Sequence, residues 1–210
     1  MLAMRSDVTS SPFAKGTATR QRILDAAVAR FASQGFRDTT VAAVARDAGV
    51  TAPAVHQYFG SKQELFHAAF EYDVAPVLEA LHGGRGAGPG RALALDSTAA
   101  QHGLVPRVAA QFALHPLAMR VLEGSEPEHT ADLMALPAVV EAHDRLTRRV
   151  AEDQQTGALR DDLPAGALAD ALETLVFALL LGPVQMSGEN SDPGRRWAIA
   201  AVISRGIRPR

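Results

Sequence analysis

Between Val44 and Lys62 the chain reads VARDAGVTAPAVHQYFGSK, a helical pattern that stops at Gly49 and restarts within two residues. A continuous helix would keep one apolar stripe throughout, so this stretch predicts two short helices with a sharp turn between them. Glycine supplies that turn because it takes positive φ without steric cost. Thr40 reads as the cap of the first helix, with Val41, Val44, Ala45 and Ala48 facing inward. Val50 is placed to plug the corner. Thr51 caps the second helix, whose first turn tolerates Pro53 because no N–H is needed there. Two short helices around a Gly-led turn make a helix-turn-helix. The second helix then presents Ala52, Ala54, His56 and Gln57 outward. Small residues let a backbone approach a groove, and His and Gln can bond to base edges or phosphates.

The flanks carry the same period. Ile23, Leu24, Ala27, Val28 and Phe31 fall on one helical face, with Thr19 able to cap its start and Gly35 able to end it in the left-handed conformation. Ser61 and Glu64 form the S-x-x-E pattern of a capping box ahead of Leu65, Phe66, Ala69 and Phe70. Alternating β-branched or aromatic runs are absent, so the expected fold class is all-α.

Charge supports the reading of the N-terminal part. The 210-residue chain has a formal net charge of -2. Residues 1–64 nevertheless hold eight Lys or Arg against five acids, the footprint of a phosphate-binding module. There is no Cys, which removes disulfides and thiolate chemistry and fits a reducing, cytoplasmic setting. Catalytic signatures are missing: no G-x-S-x-G, no H-E-x-x-H, no Walker loop. Glu126, Glu128, His129 and Asp132 read as an acidic helix start favoured by the dipole rather than as a metal site. The expectation is a non-enzyme without cofactor or metal. The longest apolar run, Leu175 to Val184, is shorter than the roughly 20 residues a bilayer span needs.

The run from Thr19 to Phe70 resembles the N-terminal domain of the TetR family of transcriptional repressors. The matching pieces are RILDAA, the F-x-x-x-G-F of Phe31–Phe36, the pair Thr39–Thr40 followed by Val41, AGV-T at Ala48–Thr51, and YF-x-SK at Tyr58–Lys62. The resemblance implies an all-helical homodimer of about nine helices per chain. Each chain would have a three-helix DNA-binding domain and a larger domain that binds a small effector and dimerises. On that basis residues 1–16 are expected as a disordered tail, 17–62 as the helix-turn-helix domain and 63–210 as the ligand-binding and dimerisation domain. Thr40 and Lys62 would touch phosphates of double-stranded operator DNA. Thr51, Ala52, Pro53, Ala54, His56, Gln57 and Tyr58 would lie in the major groove. His56 stands where the family usually has Tyr, and Ala52-Pro53 replaces the commoner polar-Gly pair, so the contact at His56 is open and side-chain readout looks sparse.

Beyond residue 70 the likeness is loose. A fourth helix is expected to about Leu81, then a Gly-rich break from His82 to Arg91. Helices follow over Ala92–His102, Pro106–His115, Leu117–Glu123, Thr130–Gln155 (with Pro137 at a kink or a start), Ala165–Met186 and Pro193–Gly206. The Ala165–Met186 helix is apolar nearly all round, so it must bury two faces. With the last helix it is expected to form the dimer interface, through Leu175, Leu179, Trp197 and Ala201. An effector pocket is expected around Tyr72, Phe112, His115, Met119, Leu122, Met134 and Leu136, suited to a small apolar or amphipathic molecule. The function expected is a ligand-responsive repressor. The alternatives are a DNA-binding organiser with no effector and a helical enzyme.

Overall fold

The computed structural model describes residues 12–81, 110–185 and 206. Among the described residues there are helices and no strand, so the chain is all-α. They belong to two compact units, residues 1–72 and 73–210.

The first unit begins with α1, Pro12–Asp38. It starts inside the segment expected to be a disordered tail, and Thr19 sits within the helix instead of capping it. Pro12 suits a first turn, and Ala14, Lys15 and Ala18 are good helix formers, so nothing stops the helix from extending back past Thr19. Gly35 interrupts α1 with φ 79° and ψ 174°. Its φ has the expected sign, but its ψ is extended, and one further turn follows. Buried Thr39 donates its hydroxyl to the Gly35 carbonyl at 2.8 Å and holds the chain there.

Helix α2 (Val41–Asp47) starts on Thr40, whose side chain accepts from the Ala43 N–H. It ends at Gly49, φ 66°. Gly49 N–H donates to the Arg46 carbonyl at 3.2 Å and Val50 N–H to the Ala45 carbonyl at 2.9 Å. This bond pair closes a helix end only when the residue after the cap has positive φ. Helix α3 (Ala52–Phe59) starts on Thr51, whose side chain accepts from Ala54 N–H, with Pro53 in the first turn. Helix α4 (Lys62–Leu81) follows, and Ser61 Oγ accepts from the Glu64 N–H at 3.1 Å.

Ile23, Leu24, Ala27 and Phe31 of α1, Val44 and Ala45 of α2, Val55 and Phe59 of α3, and Leu65, Phe66, Ala69 and Phe70 of α4 are all buried. Phe66 meets Phe31 edge-on at 4.9 Å and Phe36 at 5.1 Å between ring centroids, the arrangement aromatic quadrupoles favour. The first three turns of α4 thus complete this core. The first compact unit runs to Tyr72.

In the second unit, residues 110–114 are helical. Helices α5 (Pro116–Leu122), α6 (Thr130–Met134), α7 (Pro137–Gln155) and α8 (Ala165–Gln185) follow. The single helix expected over Thr130–Gln155 is two. Leu136 is extended (φ -62°, ψ 140°), because the ring of a following proline disfavours helical backbone, and Pro137 opens α7. Leu117, Val121, Leu133, Ala142, Leu146, Val150, Leu159, Leu168 and Leu172 form the core. In the turn after α7, Gln154 Nε2 donates to the carbonyls of Arg160 and Leu163 at 2.8 and 2.9 Å. The expected Gly-rich break, the Ala92–His102 helix and most of Pro193–Gly206 lie outside the described residues.

Candidate nucleic-acid interface

The geometry of α3 separates its residues into two sides. Val55 and Phe59, four apart, are buried against the unit's core. On a 3.6-residue period Pro53 and Gln57 lie on the opposite side, His56 flanks Phe59 and Gly60 caps the helix end, and all four are exposed. Thr51 is also exposed, Ala52 and Ala54 are partly covered, and Tyr58 is 38% exposed beside the core. The seven residues expected in the major groove thus occupy one stretch, but only part of it forms the outward side.

Two helix starts accompany this face. Thr40 is exposed at the N-terminus of α2. Lys62 opens α4, where its ammonium donates to the Arg37 carbonyl at 3.1 Å and lies 4.5 Å from the Phe36 ring centroid. The lysine is therefore held by the end of α1 rather than extended, with further N–H donors in hand. The Arg46 side chain is 75% exposed, and the Arg20 guanidinium sits over the Phe59 ring at 5.1 Å. Arg46 was not among the expected contacts, because exposure of one arginine among many is not legible from spacing.

The turn after α3 holds a second residue the sequence reading passed over. Gly60 has φ 68° and ψ -62°, and Ser61 N–H donates to the Phe59 carbonyl at 2.7 Å. That i to i+2 bond across a residue of positive φ is a γ-turn of the rarer hand. A Cβ at Gly60 would lie 2.5 Å from Glu64 Oε2. The Gly60 carbonyl so oriented accepts from His56 Nδ1 at 2.9 Å.

The residues expected around a pocket fall in both units. Tyr72 belongs to the first unit, 40% exposed, with its hydroxyl donating to Asp25 at 3.0 Å and accepting from Gln21. Met134 is 44% exposed. His115 precedes α5 and pairs through Nδ1 with Asp73 Oδ1 at 3.2 Å. Phe112 is buried and meets Phe177 edge-on at 6.5 Å. Met119, Leu122 and Leu136 are partly covered. Of the acidic group at 126–132, Glu126 is buried and ion-paired with Arg120 at 2.7 Å.

Of the expected dimer contacts, Leu175 on α8 is 38% exposed. The Leu179 side chain, Trp197 and Ala201 lie outside the described residues. Among the described residues, no helix is long and apolar enough to cross a membrane.

A capped, Gly-turned helix pair with an outward polar face and cations at its edges defines a helix-turn-helix DNA-binding domain. Residues 23–69 match the model of the bacterial regulatory proteins of the tetR family. Two curated relatives agree over this part. The transcriptional regulator SrpR of Pseudomonas putida is 47% identical over 55 residues, 26% of either chain. AcrR of Shigella flexneri is 38% identical over 61 residues, 29% of this chain and 28% of that one. The matched stretch thus spans about a quarter of these relatives. Solved structures extend the likeness in fold. A protein of Shewanella assigned to the tetR family superposes with a TM-score of 0.65 at 23% identity, covering 91% of this chain and 99% of that one. A transcriptional regulator of Saccharomonospora viridis, solved with choline, superposes with a TM-score of 0.57 at 21% identity, covering 92% and 100%.

Proposed function

We propose that the chain is a ligand-responsive transcriptional repressor of the cytoplasm. In this reading it binds a near-palindromic operator as a homodimer and is released by a small apolar or amphipathic effector. The outward side of α3, opposite Val55 and Phe59, carries the reading, because it offers a stretch of small and polar residues to a major groove. Thr40 and Lys62, at the two helix starts, would hold the flanking phosphates. Two-fold symmetry would then set half-sites about one helical turn, or a multiple, apart.

Leu175, exposed on a helix that is otherwise largely apolar, supports dimerisation through the last helices, with Leu179, Trp197 and Ala201 as further contacts. The choline complex of the Saccharomonospora protein supports a small-molecule site in the second unit here, with Phe112, His115, Met119 and Leu122 as its nearest candidates. Because α4 carries residues of both units, it is the element through which an effector would act. The coupling need be only about 1–3 kcal/mol and must be reciprocal.

The test is a selection from a randomised duplex library, followed by anisotropy titration on the enriched site and light scattering of the complex. A two-fold motif bound by a dimer is expected. Once an effector is in hand, calorimetry with and without operator should give unequal affinities. Tight DNA binding that no small molecule alters would favour the organiser without an effector.

A further inference from the structure

His56 is held in one tautomer by its own helix end. The partner of Nδ1 is the Gly60 carbonyl at 2.9 Å. A carbonyl only accepts, so Nδ1 carries the proton. In a neutral imidazole the other nitrogen, Nε2, is then an acceptor. The chain builds this arrangement in steps. The short end of α3 needs a residue at positive φ, Gly60 supplies it, and the γ-turn directs its carbonyl back one helical turn to His56. The bond also fixes the ring, and fixing a side chain before binding reduces the entropy lost when it meets a ligand.

We propose that His56 is a specificity-determining residue that reads a base carrying an exocyclic amino group, adenine or cytosine, through Nε2. The proposal rests on the DNA-binding reading above. His56 is exposed at the edge of the outward side of α3 that carries Pro53 and Gln57, so it borders whatever that side meets. In the major groove the only hydrogen-bond donors on base edges are adenine N6 and cytosine N4; guanine and thymine present acceptors there. An acceptor locked on Nε2 bonds the first pair and opposes the second. Phosphate oxygens are acceptors too, so the neutral Nδ1–H tautomer suits a base amino group and not the backbone. Gln57 beside it carries both donor and acceptor and cannot by itself make this distinction.

The experiment has two arms, both at pH 8, where an imidazole is neutral. Nitrogen-15 spectra of the free protein, with the histidine rings labelled, report which ring nitrogen is protonated. Nδ1–H is expected at His56, and Nε2–H overturns the proposal. The second arm compares library selections by the wild type and by His56→Ala, an exposed position at which folding is checked by thermal melting. The wild type should select one particular base pair, in one orientation, at one position of each half-site. His56→Ala should relax that position by roughly tenfold, the scale of one mismatched pair, and keep the rest of the motif. A duplex whose selected base lacks its amino group should bind the wild type more weakly and His56→Ala unchanged. A uniform loss of affinity for every sequence would mean a backbone contact and would overturn the proposal while leaving the DNA-binding function intact. So would binding by the wild type that is unchanged when the amino group is removed from the selected pair. A wild type that enriches no motif overturns the DNA-binding reading, and this proposal with it.

Discussion

The Arg30 guanidinium and the Asp47 carboxylate meet in two hydrogen bonds, Nε to Oδ2 at 2.5 Å and Nη2 to Oδ1 at 3.1 Å. They tie the middle of α1 to the last residue of α2 and so help set the angle of the helix-turn-helix. A carboxylate at a helix C-terminus is disfavoured by the dipole, and the facing arginine reverses that balance. The hydrogen bond to Arg30 holds the Asp47 carboxyl below its ordinary value of 3.8.

The first prediction follows from the sign of that shift. A lowered carboxyl pKa adds stability that is present above the unfolded value and is lost as pH falls through the folded one. Asp47→Asn should melt below the wild type at pH 7, and the gap should close under pH 3.8. The pair is solvent-exposed, so the difference should be small and should shrink in high salt. Melts that stay parallel down to acid pH would show that the pair does not steady the domain.

Asp73 gives a larger expected effect. Its buried carboxylate accepts from the N–H groups of Leu117 and Ala118, both at 2.9 Å, and from His115. The residue that should cap α5, His115, makes no side-chain cap bond of its own. Asp73→Ala leaves buried donors without a partner, at a cost of about 1–3 kcal/mol. Urea denaturation followed by circular dichroism measures this, and a change under about 0.5 kcal/mol would contradict the capping role.

His143 joins α7 to α8 through Nδ1 and Glu173 at 3.1 Å. The hydrogen bond to Glu173 raises the imidazole above its ordinary 6.5, and the charges of Glu173, Asp170 and Asp144 add to the shift. A raised histidine pKa contributes stability that is full below the unfolded value and disappears as pH rises through the folded one. Glu173→Gln should therefore lower the melting temperature at pH 6 and matter less at pH 9. The ring is 37% exposed, so the effect should be modest. A proton NMR titration of the His143 ring in wild type and variant checks the cause directly.

Lys62→Ala should weaken binding to all duplexes alike. If the lysine leaves the Arg37 carbonyl for a phosphate, the salt dependence of log K should become shallower by about one unit. Gln57→Ala should instead relax preference at one or two base pairs. An unchanged slope with Lys62→Ala would leave that lysine as a tie between α4 and the end of α1 and nothing more.

The helix-turn-helix was legible in the linear sequence because its signals are local. Thr40, Gly49, Thr51 and Ser61 act within one turn of their own position, and the spacing of Ile23 to Phe31 and of Leu65 to Phe70 marks a buried side. Local signals misjudge extent, however. Thr19 is a competent cap, yet α1 runs back to Pro12, since a helix interior tolerates Thr at a cost of only about 0.7 kcal/mol or less. Whether a helix turn joins one core or another depends on packing, and Phe66 meets Phe31 and Phe36 from far along the chain.

Tertiary structure alone decided the partners of the polar groups. The Tyr72 hydroxyl is found on Asp25, and the Asp73 carboxylate on the start of α5. Hydrogen bonds between residues more than forty positions apart leave no trace in periodicity or spacing. The His56 bond to Gly60 spans only four residues and was still missed. It depends on the ψ of a glycine, which sequence does not specify, and that one dihedral directs a carbonyl at the ring and decides which ring nitrogen it meets.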